Sequence, residues 1–207
     1  MNFKFLKIYK KNNLTNKEFY LIKNIIKKEN PESIIAALNN KLLLKYLKII
    51  TKSDKIDLFT CEFNRKIIGY IIISKKPKDL FNEFKVIKKE IFYYLVKKIK
   101  ISILLNLLIK FLKIDLIFIS PNNKEIIEKN INLNMIGIES KFQSMGIGYF
   151  FLKKVILIIT YKGDYKYLSL ETLNYRAENF YKKKFNFYYI GLKLRFYKNL
   201  KILLKKL

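Results

Sequence analysis

Gln143-Ser144-Met145-Gly146-Ile147-Gly148 joins a strand-like run, Leu133 to Ser140, directly to an apolar helix-like run, Tyr149 to Tyr161. Gly146 and Gly148 carry no Cβ, so the main chain there can approach a bulky anion closely. The first turn of the helix that follows adds N–H groups without intrahelical partners and the positive end of a dipole. Strand, glycine-bearing loop and helix in that order predict a cradle for a pyrophosphate.

A second block lies downstream at a distance that suits one helix plus one strand, about 30 residues. It reads Leu168-Ser169-Leu170-Glu171-Thr172-Leu173-Asn174, followed by Arg176-Ala177-Glu178-Asn179-Phe180-Tyr181-Lys182-Lys183-Lys184-Phe185-Asn186-Phe187. The spacing Gln/Arg-x-x-Gly-x-Gly resembles the acyl-CoA loop of the GNAT acetyltransferases. The second block is similar to that family's strand, Asn, Ala and closing Phe-Tyr-x-Lys pattern. The resemblance runs from Leu133 to Tyr189, and more weakly from Ile56 to Ser74. Two residues depart from the pattern. Ser144 replaces a glycine, at some cost in loop freedom, and Asn186 replaces another at a turn where Asn is the next residue best able to adopt a left-handed backbone.

The resemblance implies an α/β (α+β) fold of the GNAT acyltransferase type: a central mixed, mostly antiparallel sheet flanked by helices. It implies acetyl-CoA as co-substrate, held by main-chain groups of Ile136, Gly137 and Ile138, by the loop Gln143, Ser144, Met145, Gly146, Ile147, Gly148 and Tyr149, and by Asn174 and Ala177. It also implies that Tyr181 lies near the sulfur. A phenol with an ordinary pKa near 10 stays protonated at neutral pH and can donate to a departing thiolate. Ala177 and Tyr181 share a helical face, the alanine leaving room for the cofactor. Glu171 is the leading candidate general base, with Glu139 and Glu62 behind it as solvated strand-end charges. Enzymes that acetylate ribosomal-protein N-termini carry a glutamate where Ser169 stands, so the serine counts against that acceptor.

Composition narrows the alternatives. The chain has 207 residues, enough for one domain with a substantial core. With no histidine and one cysteine, His-based triads and intrachain disulfides are excluded, and no metal-ligand cluster is expected. Cys61 sits in an apolar run and reads as core, which suits a reducing cytoplasm. The formal charge of +27 comes almost wholly from lysine. Arginine occurs only at Arg65, Arg176 and Arg195. Such a profile suits lysine filling solvated faces better than bidentate phosphate recognition, so no specific nucleic-acid partner is expected. A non-catalytic basic module binding membrane or nucleic acid is the rival of a different class.

Phe3 to Tyr9 alternates with lysine and predicts a first strand, with no signal-peptide pattern. Thr15-x-x-Glu18 is a capping box ahead of Phe19, Ile22, Ile25 and Ile26, which mark one helical face. Asn30-Pro31 predicts a second helix start, running to about Ile50. Ile56 to Phe63 and Ile67 to Ser74, around Asn64-Arg65-Lys66, predict a hairpin whose second arm is covered on both faces. A helical insertion at about 76–130, bounded by Pro77 and Pro121, is expected between the third and fourth strands of a single domain spanning 1–207. In it Phe92, Leu95, Val96, Ile99, Ile103, Leu107 and Phe111 recur at helical intervals, interrupted by Lys97, Lys98, Lys100, Lys110 and Lys113. Its longest uncharged run, Ile101 to Ile109, is far short of the roughly 20 residues that cross a bilayer. Flap, site wall and peripheral contact with an anionic membrane all remain open for it. The expected activity is acetyl transfer to an amine of a small molecule, an amino sugar or a protein N-terminus.

Overall fold

The computed structural model describes residues 5–31, 33–97, 118–161, 163–195 and 198–207. The chain opens with β1 (Leu6–Lys10) and α1 (Asn16–Glu29), and the capping box forms as the sequence predicts. Glu18 N–H donates to Thr15 Oγ1 at 3.3 Å and Thr15 N–H to Glu18 Oε2 at 2.7 Å. The second helix differs from expectation. Asn30 closes α1 rather than opening a new helix, Ser33 caps the short α2 (Ile34–Ala37), and Asn39 caps α3 (Asn40–Lys52). Leu38 adopts an extended backbone between them, buried at 1% exposure, so the chain turns to bury that residue instead of continuing one helix.

β2 (Ile56–Phe63) and β3 (Lys66–Ser74) form the expected hairpin, with Asn64 and Arg65 both at positive φ, 49° and 61°, as a two-residue turn matched to strand twist requires. Every residue of β3 after Lys66 is buried, so this strand is covered on both faces. There follow α4 (Pro77–Glu83), a 3-10 turn (Phe84–Ile87), α5 (Lys88–Lys97), the two-residue β4 (Phe118–Ile119) and α6 (Pro121–Lys129). Pro77 and Pro121 thus each begin a helix. Residues 98–117, which hold Ile99, Ile103, Leu107, Phe111 and most of the lysines assigned to the insertion, lie outside the described residues. Among the described residues no helix is long and apolar enough to cross a membrane.

The remaining elements are β5 (Ile131–Ile138), α7 (Ile147–Tyr161), β6 (Tyr167–Thr172), α8 (Tyr175–Phe185), β7 (Tyr188–Arg195) and β8 (Lys198–Lys206). One sheet runs β1-β2-β3-β5-β6-β8-β7-β4, antiparallel except between β5 and β6. The closing hairpin, which sequence reading did not anticipate, inserts β8 beside β6. Two apolar clusters sandwich the sheet. One joins Phe59, Ile71, Leu133, Leu168 and Leu170 to α7 and α8, and the other joins Leu58, Tyr70, Ile72 and Met135 to α1 and α3. α4 and α6 cover the latter face over β3, β5 and β6.

Candidate functional site

β5 and β6 pair in parallel only at Ile131, Asn132 and Leu133 against Leu168, Ser169 and Leu170. β5 continues to Ile138 and β6 to Thr172, so the sheet opens between them. A bulge lies at the point of parting. Ile72 pairs with Met135 and Ile73 with Leu133, leaving Asn134 as the extra residue on β5. Beyond it Glu139 N–H donates to Ile68 O at 2.8 Å, and Gly69 lies opposite Ile138. In an antiparallel ladder the bonded groups alternate, so N–H and C=O of Gly137 and Glu139 face β3 while those of Ile136 and Ile138 face the gap. Side chains occupy both carbonyls. Asn30 Nδ2 donates to Ile136 O at 3.3 Å and Gln143 Nε2 to Ile138 O at 2.9 Å. Among the described residues, no strand lies opposite the N–H groups of Ile136 and Ile138.

The loop is built to leave donors open. Thr15, Ser33, Asn39, Ser120 and Asn174 cap the helices they precede with side-chain oxygens. α7 instead begins after Gly146, which has no side chain, and the first helical bond runs from Phe150 N–H to Gly146 O at 3.0 Å. The N–H groups of Ile147, Gly148 and Tyr149 therefore stand without intrahelical acceptors. Ser144 and Gly146 hold φ of 62° and 79°, so the Gly-to-Ser departure falls where a left-handed backbone is needed. Gly148 differs from expectation in its reason. Its backbone is ordinary helix, and among the described residues a Cβ there would meet only Ile138 Cγ1 at 3.9 Å. Among the described residues nothing demands glycine at that point, and the open space suits the close approach of a ligand. These features fit the diphosphate and pantetheine of an acyl-CoA.

Asn174 Oδ1 accepts from Arg176 N–H at 2.8 Å and Ala177 N–H at 3.4 Å, and Asn186 closes α8 at φ 57°, as its sequence position predicts. Ala177 packs against the same buried cluster that holds Ile138, Ile147, Leu170 and Tyr181. Tyr181 is edge-on to Phe180 and Phe187, and Phe180 and Phe185 link it to Tyr149 at the start of α7. Burial raises the Tyr181 phenol well above its ordinary value. It remains a proton donor across the physiological range.

Of the candidate carboxylates, Glu62 and Glu139 sit differently from expectation, whereas Glu171 shares the strand face of Ser169. Leu168 and Leu170 face α7 and α8, so Ser169 and Glu171 face the opposite side of the sheet from Tyr181. Glu171 Oε1 accepts from Lys193 Nζ at 2.7 Å. Glu62 and Glu139 are not solvated strand-end charges. Glu62 is 2.9 Å from Lys11, Glu139 lies 3.6 Å from Lys66 and 3.5 Å from Lys141, and both side chains are more than three-quarters buried. Ser169 is 1% exposed and donates within a polar ladder that sequence reading missed. Its Oγ lies 3.0 Å from Asn132 Oδ1, Asn132 Nδ2 donates to Asn134 Oδ1 at 2.9 Å, and Asn134 Nδ2 donates to Ser74 Oγ at 2.9 Å. Three asparagines in Asn130 to Asn134 were the available signal, since polar amides inside an apolar strand need partners.

No protein-family model and no curated protein sequence matches the chain. Solved structures do. An acetyltransferase described as a GNAT-family protein from Desulfovibrio desulfuricans aligns over 97% of this chain and 98% of its own at TM-score 0.59 and 13% identity. The chain has the GNAT acetyltransferase fold. A GNAT-family acetyltransferase from Elizabethkingia anophelis with acetyl-CoA bound aligns over 98% of this chain and 99% of its own, at TM-score 0.54 and 17% identity. The ribosomal-protein-S18-alanine N-acetyltransferase of Escherichia coli shares the GNAT fold over 97% of this chain and 93% of its own, at TM-score 0.57 and 12% identity.

Proposed function

We propose that this chain belongs to the GNAT superfamily and acts, as one domain, as an acetyl-CoA-dependent N-acetyltransferase. The observation that carries the reading is the gap between β5 and β6, with two outward N–H groups on one wall and an uncapped helix beside it. The N–H groups of Ile147, Gly148 and Tyr149 bind the diphosphate. Those of Ile136 and Ile138 pair with the pantetheine arm and polarise the thioester carbonyl as charge builds on its oxygen. The amine nitrogen attacks that carbon, the C–S bond breaks, and Tyr181 protonates the leaving thiolate. Glu171, on the acceptor side of the sheet, is the candidate base for the amine proton, a role with which its bond to Lys193 competes. The acceptor is an amine of a small molecule, an amino sugar or a protein N-terminus. Among the similar folds are an agmatine N-acetyltransferase and a ribosomal-protein-S18-alanine N-acetyltransferase, whose names give amine acceptors. A cytoplasmic setting belongs to the same proposal.

The charge of +27 favours one rival, a basic surface-binding module. Salt separates the two. Acetyl-CoA gripped by the loop raises the melting temperature by ligand linkage, about 2.7 kcal/mol at a hundred times Kd, and much of that survives high ionic strength. No shift with millimolar acetyl-CoA, together with salt-sensitive binding to anionic vesicles or RNA, would favour the rival.

A further inference from the structure

We infer that the last turn of α1 braces the cofactor loop, with Glu29 as the positioning residue; this rests on the acetyl-CoA reading above. Glu29 Oε1 accepts the N–H of Ser140 at 3.0 Å, and Glu29 Oε2 accepts from Gln143 Nε2 at 2.6 Å. The same Gln143 Nε2 reaches Ile138 O. The next residue, Asn30, donates to Tyr70 Oη at 2.8 Å and to Ile136 O. Two adjacent residues of α1 therefore secure both carbonyls that face the gap, one directly and one through Gln143. What is left pointing into the gap is donors.

The brace has a fixed base. Ile22, Ile25 and Ile26 anchor α1 in the core at 5% exposure or less. Gly137 sets how near the helix comes, because a Cβ there would lie 3.2 Å from Asn30 Nδ2 and 3.2 Å from Ile25 Cγ2. The loop it steadies carries a non-glycine residue in the left-handed region, Ser144, a conformation that persists only where surrounding contacts hold it. Both carboxylate oxygens of Glu29 are engaged upstream of the open N–H groups of α7. Its charge is thus spent as an acceptor on the loop's entry, and the donors nearer the helix stay available to a diphosphate. α1 flanks the face of the sheet opposite α7 and α8, so the brace also ties the acceptor side of the site to the cofactor side.

The test compares the wild-type chain with Glu29→Ala and Glu29→Gln, using CoA as the probe. Calorimetry gives Kd, thermal melts give ligand-free stability, and hydrogen exchange reads the amides of Ser140 and of residues 144–148. Losing a charge-assisted hydrogen bond should weaken CoA binding about tenfold in Glu29→Ala. Glu29→Gln keeps an acceptor oxygen for Ser140 and should lose about threefold. The Ser140 and loop amides should exchange faster in ligand-free Glu29→Ala, while its melting temperature stays within about 2 °C, since the pair is exposed. A wild type that binds CoA and a Glu29→Ala variant that binds it equally well would overturn the brace. So would a loss of affinity matched by a large fall in melting temperature with unchanged loop exchange, which is the signature of a merely structural contact. A wild type that does not bind CoA at all would instead remove the acetyl-CoA reading, and the brace with it.

Discussion

Gln143 Nε2 lies 2.9 Å from the carbonyl oxygen of Ile138, so the first side chain of the loop motif folds back on the strand it has just left. That places its amide against protein rather than ligand. The polar side chain at the head of the motif is a clasp, and the proposed anion-binding groups of the segment are those of its main chain. Clasp and cradle are separate jobs, and substitutions can part them.

Gly148 is the cleanest place to do so. Because among the described residues an added Cβ would meet only Ile138 Cγ1 at 3.9 Å, Gly148→Ala should leave ligand-free stability unchanged or raise it by up to about 1 kcal/mol. Acetyl-CoA affinity, measured by calorimetry, should nonetheless fall by about tenfold or more, as a methyl group intrudes on the diphosphate. Unaltered affinity would mean that no phosphate approaches that Cα.

Gly137 should behave in the opposite sense. Its Cβ would stand 2.6 Å from Tyr70 Cε1, a ring buried at 0% exposure that cannot swing aside. Gly137→Ala is expected to cost about 1–3 kcal/mol, read as a lower urea midpoint at constant slope. A cost under about 0.5 kcal/mol would show that α1 yields easily, contrary to the tight seating described above.

Tyr181→Phe removes one hydroxyl from an aromatic cluster and should change acetyl-CoA affinity little. Turnover should drop about 10- to 100-fold if the phenol protonates the leaving thiolate. The wild-type rate should also show no alkaline loss centred on the ordinary phenol value of 10.0, because burial holds the Tyr181 proton past that point. A pH–rate profile for both proteins checks the two statements together, and equal turnover would take Tyr181 out of the mechanism.

Cys61 tests the sheet itself. Burial, helped by the neighbouring Glu62 carboxylate, pushes its thiol up to about 12 from 9.0. The folded-state pKa lies above the unfolded one, so the contribution to stability is complete below pH 9.0 and is lost as pH rises toward 12. At pH 8 an aromatic disulfide reagent should react with the native protein only as fast as the protein opens. Reaction at the rate of free cysteine would contradict a buried β2.

Much of the fold was legible because its signals are local. The capping box at Thr15 and Glu18, the Asn174 cap and the left-handed Asn186 depend on residues within a turn or two of each other. The same locality explains the error at Asn30. A cap-plus-proline pattern reads as a helix start, yet the N–H of that asparagine goes to Ile26 O and its side chain to Tyr70 Oη, 40 positions away, and to Ile136 O, 106 positions away. Glu171 reads from its own strand as a candidate base, but Lys193 reaches it from β7, whose place in the sheet depends on β8 sliding in beside β6.

By itself the amino-acid order determined a strand, an open-ended loop and a helix with unpaired N–H groups at its start, followed by a capped helix bearing Tyr181. Backbone stereochemistry and helix-end hydrogen bonding dictate those features within a few residues. Only the tertiary structure decided that β5 and β6 part at Asn134, which N–H groups face the opening, and that Glu29, 114 positions before Gln143, steadies it. Turn geometry fixes register within a hairpin such as β2–β3, but β5 and β6 are separated in the chain by α7, so where they part and which side chains meet across the sheet depend on the packing of distant segments.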